Sequence, residues 1–294
     1  MDIATVVVSS LRAIRRHPRF LVPALFYLIF ALGISAVLSS LFLSAIPGHV
    51  AAQNQLQTRV GTAFAKIAPI AVVIGVILFL VGIAVKGTYI SMVQDQKRLK
   101  KLSIRRSFEV AVSRYWSLFA FEVISVVAEL VVAAIFLVPL IYLAEGAIIY
   151  PYLNKIAISG PSFLGFSAAA LVLLLLYFIF AIIVTILLWL GSSIVVIEGS
   201  GAAASLKRAV AIGKSDFMRI FGTLAIAYLI SAIALLVSRA FQIIPVIGVL
   251  VSLIITIGIM AFVEVLAPMY YLDFHKKAQP RQRRRIKPAE QVPV

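Results

Sequence analysis

Six uninterrupted apolar stretches, each long enough to cross a bilayer, constrain this chain more than any other feature. A hydrocarbon core about 30 Å thick takes roughly 20 residues of helix at a rise of 1.5 Å each. The stretches run from about Phe20 to Leu43, Ile67 to Tyr89, Leu118 to Leu143, Phe166 to Leu190 with an extension toward Ile197, Ile220 to Val237, and Ile247 to Tyr271. A short turn with Pro245 and Gly248 separates the last two, which predicts a tight helical hairpin. With 63% hydrophobic residues and a mean hydropathy of +1.10, the chain carries too much apolar surface for a soluble core of 294 residues; soluble domains run near 45–50%.

Orientation follows from the cations. Of 27 Lys and Arg residues, 23 fall on one side of an alternating six-span topology and four, Arg59, Lys66, Lys155 and Arg239, on the other. Basic residues concentrate on cytoplasmic loops. Both termini and the basic loops are therefore expected on the cytoplasmic side of a cell membrane. The +16 charge is read as topology and headgroup contact, and no nucleic-acid partner is expected. Arg12, Arg15, Arg16 and Arg19 precede an apolar stretch too long for a cleaved signal peptide, so they read as the entry to a retained first span. Arg239, at the outer end of the fifth span, is expected to reach the headgroups.

The chain also repeats. Each odd-numbered span follows a short basic segment, and Ser9, Ser107 and Ser205 are each followed four residues later by Ala13, Ala111 and Ala209. The register can slip by one, since Ser10–Leu11 matches equally well. We read an all-α integral membrane protein of about six transmembrane helices, built as three repeated helical hairpins, each led by a basic amphipathic interfacial helix. A single domain over residues 1–277 would contain units of about 1–95, 96–197 and 198–277, followed by a disordered basic tail over 278–294. In the first segment Ile3, Val7, Leu11 and Ile14 define the expected apolar face. Arg12, Arg15, Arg16, Lys207 and Arg208 are candidate ligands for anionic lipid headgroups. The small-residue pairs Ala71/Gly75 and Ser35/Ser39 have the spacing of close helix contacts.

Ionisable groups within spans are costly and hence functional candidates. They are Lys86, Glu122, Glu129 and Glu264. Glu122 and Glu129, two turns apart, share a helix face, and Lys86, Glu122 and Glu264 fall at similar depth. They suggest either an interhelical tether or a cation or proton path. Enzyme signatures do not appear. There is no cysteine, and His17, His49 and His275 lack metal-ligand spacing. No Gly-rich phosphate loop precedes a Lys-Ser/Thr pair. No catalytic residue, metal or cofactor is expected, and Gly199–Ser200–Gly201 reads as a turn before a helix.

Ile197–Glu198–Gly199, Ala204–Ser205–Leu206–Lys207–Arg208–Ala209, Phe217 and the closing Pro268–Met269–Tyr270–Tyr271–Leu272–Asp273 carry a further indication. With these motifs, over about the last hundred residues, the chain resembles prokaryotic multi-span proteins related to the membrane domain of glycerophosphodiester phosphodiesterases. The resemblance implies a membrane part without catalysis, since the phosphodiesterase domain has no counterpart here. Glu198 and Asp273 are accordingly read as helix-terminal structure. The reading is a non-enzymatic scaffold, accessory subunit or lipid-interacting module, with membrane lipids and another membrane or cytoplasmic protein as partners. A transporter or channel using the intramembrane carboxylates is the alternative.

Overall fold

The computed structural model describes residues 3–45, 53–98, 102–145, 160–242 and 245–285. In lipid every backbone polar group needs an internal partner, which leaves helices for the apolar stretches. The described residues form α1 (Ile3–Arg16), a 3-10 turn (Pro18–Phe20), α2 (Leu21–Ala45), α3 (Gln53–Lys97), α4 (Ile104–Ser113), α5 (Tyr115–Ala144), α6 (Gly160–Leu188), α7 (Gly191–Glu198), α8 (Ala202–Ser215), α9 (Phe217–Phe241) and α10 (Pro245–Arg285). Six helical stretches are long and apolar enough to span a membrane: Pro18–Ser40, Ala68–Lys97, Tyr115–Ala144, Gly165–Glu198, Phe217–Phe241 and Ile247–Asp273. This is an all-α multi-span membrane protein.

Several helices outrun the sequence expectation. α3 continues past Tyr89 to Lys97, because buried Ser91, Met92, Val93 and Asp95 keep packing beyond the apolar stretch. α10 continues to Arg285, so residues 278–285 are helical rather than disordered; Lys, Ala, Gln and Arg are good helix formers. Residues 286–294 lie outside the described residues. The fourth stretch is interrupted at Trp189–Leu190, between α6 and α7. The expected hairpin forms between α9 and α10, where a Cβ on Gly248 would lie 2.3 Å from the Phe241 carbonyl oxygen.

Each short helix meets its span at a one-residue break. Arg114 (φ −107°, ψ 6°) and Asp216 (φ −114°, ψ 22°) leave helical geometry, and His17 leads into the 3-10 turn begun by Pro18. Three hairpins follow, α2 on α3, α5 on α6 and α9 on α10. They close on one another through α3–α5, α6–α9 and α10–α2 contacts, while α3, α7 and α10 meet in the middle. Every short helix docks on the hairpin before it in cyclic order: α4 on α3, α8 on α6 and α7, and α1 on α10.

The starts of α2, α5 and α9 thus lie beside the ends of α3, α7 and α10, with the short helices, at what we call the basic end. Packing concentrates there. Tyr89, Ile90, Met92 and Val93 of α3, residues 191–196 of α7, and Val265, Leu266 and Met269–Tyr271 of α10 are buried. Away from this end Val72, Leu171, Leu236 and Ile254 turn outward to lipid.

Glycines permit the closest approaches, at positions other than those expected. Ala71, Gly75, Ser35 and Ser39 are all exposed, and nothing lies within 4 Å of a Cβ on Gly75. Spacing alone does not tell a lipid-facing pair from a packed one. A Cβ on Gly191 would instead sit 1.8 Å from Phe121 Cζ, so the break between α6 and α7 receives that ring only because residue 191 has no side chain.

α1 buries Val6, Val7, Ser10 and Ala13. The expected face is corrected in part: Val7 is buried, Ile3 and Ile14 are half-buried, and Leu11 is exposed. The stripe that docks, Val6, Val7, Ser10 and Ala13, is turned from the expected face and shares only Val7 with it. Ser10, Ser107 and Ser205, with Ala13, Ala111 and Ala209, are all buried, whereas Ser9 is only half-buried. In the first segment Ser10 thus fits the slipped register and Ala13 the unslipped one.

Candidate functional site

Lys86 on α3, Glu122 on α5 and Ser192 in the first turn of α7 converge. Lys86 Nζ donates to Glu122 Oε1 at 2.7 Å, and Ser192 Oγ donates to the same oxygen at 2.8 Å. A charge pair away from water holds when its remaining bonds are also supplied, and the Ser192 hydroxyl supplies one. Gly191 brings Ser192 to this place, since the seating of Phe121 beside Gly191 positions α7 against α5 one residue from Glu122.

A cavity of about 250 Å³ opens beside this pair among α2, α3, α5 and α10. Lys86, Glu122 and Glu264 supply its charge, Tyr27 and Tyr89 its phenols, and Phe79, Ile83 and Met260 part of its apolar wall. Glu264 makes no hydrogen bond and no ion pair among the described residues. Tyr89 Oη accepts the Ala24 amide at 2.9 Å. That amide is the fourth of α2 and has no partner within its own helix. The phenol thereby joins the cavity wall to the entry of the first span.

Of the four candidate intramembrane charges, three therefore come together: Lys86 and Glu122 as a pair, with Glu264 across the cavity. Glu129 does not join them. It shares a helix face with Glu122 but lies two turns farther from the basic end, where it is exposed and outside the cavity lining.

The candidate headgroup cations divide. Arg12, Arg15 and Arg16 on α1 and Lys207 on α8 are exposed. Arg208 is instead bound to Glu198, which also accepts the Tyr271 hydroxyl. Arg239 is exposed and donates to Gln242 at 3.1 Å.

Sequence reasoning missed a belt of cross-links at the basic end. Tyr270 Oη donates to Asp216 at 3.2 Å, and Lys97 pairs with Asp273 at 2.7 Å. Arg19 donates to the Leu102 carbonyl at 2.6 Å, and Arg114 to the Gly199 carbonyl at 3.2 Å. Gly199 adopts φ +69°, the left-handed end of α7, and a side chain there would strike the Arg114 guanidinium. One signal was available: Glu198 and Asp216 sit at helix ends, and each acid in these links adjoins a basic or tyrosine-bearing segment. Glu198 fits the helix-terminal reading, whereas Asp273 falls inside α10.

Among the described residues no group of three His, Asp or Glu side chains comes together in a way that could hold a metal ion. Comparison with protein-family profiles, curated proteins and solved structures found no match.

Proposed function

We propose that this chain is a non-enzymatic membrane module whose basic end faces the cytoplasm and engages anionic lipid headgroups. On this reading the same face serves another membrane or cytoplasmic protein as a scaffold or accessory subunit. The observation that carries it is the composition of the two short-helix faces turned away from the bundle. On α1 that face holds Val8, Leu11, Arg12, Arg15 and Arg16, all exposed. On α4 it holds Arg105, Arg106, Phe108 and Val112, also exposed. Apolar side chains at acyl depth interleaved with arginines at phosphate depth are what an interfacial helix presents. Trp116, exposed in the first turn of α5, suits the same boundary layer.

The bias of 23 cations against four supports the orientation. The cyclic docking of α1, α4 and α8 supports three repeated units, each led by a short helix. α8 differs in exposing Lys207 and Lys214 without a large apolar neighbour. The likeness to the membrane domain of glycerophosphodiester phosphodiesterases belongs to this proposal. Four of its motif residues, Glu198, Arg208, Tyr270 and Tyr271, take part in the cross-links at the basic end.

The test is native mass spectrometry of lipid retained from nanodiscs of equal phosphatidylglycerol and phosphatidylcholine. A basic side chain near an anionic surface contributes about 1 kcal/mol. Replacing Arg12, Arg15 and Arg16 by Gln should therefore lower the phosphatidylglycerol preference about tenfold or more, and high salt should do the same to the parent. Equal retention of the two lipids by the parent would refute the reading.

The cavity favours a second reading, a cation or proton path through the carboxylates. Flux in proteoliposomes that disappears in Glu264→Gln would select it.

A further inference from the structure

The cavity beside the Lys86–Glu122 pair contains two carboxylates and one lysine. Lys86 lies 2.7 Å from Glu122 and makes no ion pair with Glu264. Among the described residues Lys86 acts electrostatically on both carboxylates but bonds directly to Glu122 alone, so the cavity carries one carboxylate more than it has cations, and an excess charge within a span is disfavoured. The surroundings of that charge are selective. A volume of about 250 Å³ is far larger than a bare ion needs and falls just below the range of ordinary ligand pockets, about 300–1,000 Å³. Hard metal cations want six or more oxygens. Here the Glu264 carboxylate, the second Glu122 oxygen and the two phenols are the side-chain oxygens not bonded to Lys86, too few for such a shell, and the Tyr89 oxygen already accepts the Ala24 amide. Aromatic rings and aliphatic side chains form the rest of the wall. An alkylammonium group fits this set: its N–H donors need few acceptors, its charge is attracted to aromatic faces, and its chain lies against the apolar wall.

We propose that this cavity binds the ammonium group of a small organic amine, with Glu264 as its counter-ion, Tyr27, Phe79 and Tyr89 around it, and the Lys86–Glu122 pair as the fixed wall. The ammonium comes either from a soluble alkylamine or from the amine headgroup of a lipid. The site is separate from the exposed arginines of α1 and does not rest on their lipid reading.

The experiment uses the full chain in nanodiscs of phosphatidylglycerol and phosphatidylcholine, two lipids without a primary amine, and follows n-butylammonium binding by equilibrium dialysis. 1-Butanol is the neutral control of similar size. One saturable site per chain is expected, with at least tenfold preference for the ammonium. Glu264→Gln should remove that preference and Glu264→Asp should restore part of it. Gly82→Leu, which projects into the cavity without changing its charge, is the second variant and should block binding in a chain whose Glu264 is intact. Adding phosphatidylethanolamine to the nanodiscs distinguishes the sources: a weakened butylammonium affinity assigns the site to the lipid amine, and an unchanged one to a soluble amine. Equal affinity for butanol and butylammonium, or a preference that survives both Glu264→Gln and Gly82→Leu, overturns the proposal.

Discussion

A single oxygen organises the interior of this bundle. Glu122 Oε1 receives both Lys86 and Ser192, so three helices that the chain keeps far apart are joined at one atom. Lys86→Met leaves the carboxylate with only the serine hydroxyl and should lower stability by about 1–3 kcal/mol. Adding Glu122→Gln removes the stranded charge, so the double variant should lose less than the sum of the two single losses. Reversible unfolding in mixed micelles measures the coupling; losses that add within about 0.5 kcal/mol would mean that the pair does not act as a unit. The sequence showed which ionisable residues lie inside spans and that Lys86 and Glu122 share a depth. It did not show Ser192, because a serine in an apolar helix carries no sign of what it faces. Depth along the spans did set Glu129 apart from Glu122, since only Lys86, Glu122 and Glu264 fall at one level, and the cavity lining holds those three without Glu129.

At the scale of the helices, docking of the short segments decides which side is left to the bilayer. α1 turns Val6, Val7, Ser10 and Ala13 inward and Val8 and Leu11 outward, although all but Ser10 and Ala13 are larger apolar residues. Ala13→Leu should therefore push α1 off α10 and destabilise by about 1–3 kcal/mol, the usual effect of overfilling a packed contact. Leu11→Ala should leave thermal unfolding in detergent nearly unchanged. The reverse ranking would show that α1 docks through the face read from periodicity. Hydrophobic period finds the helix but is ambiguous when both faces are apolar, one toward protein and one toward lipid. The serine–alanine recurrence marks buried positions, yet the first segment fits neither register fully, since Ser10 is buried in the slipped one and Ala13 in the unslipped one.

Taken whole, the described helices are three hairpins closed in a ring, with α3, α7 and α10 meeting centrally. The six spans were legible because length and hydropathy alone decide that a segment belongs in lipid. Their cyclic order was not, because contacts between α2 and α10, or α1 and α10, join distant parts of the chain that composition does not relate. The topology has a direct check, since the chain lacks cysteine and so has no background labelling. Single cysteines at Ser113 and Ala203 should react with an impermeant maleimide from one side of sealed vesicles, and one at Gln242 from the other. Labelling of Ser113 and Gln242 positions from the same side would break the six-span arrangement.

Among the described residues the three short helices lie at one end of the spans, where the buried side chains also cluster. On the interfacial reading proposed above, the protein lays these helices into one monolayer and adds area there. It should gather where that monolayer is stretched on the convex side of a bend, and its enrichment on narrow membrane tubules over flat bilayer would report the added area directly.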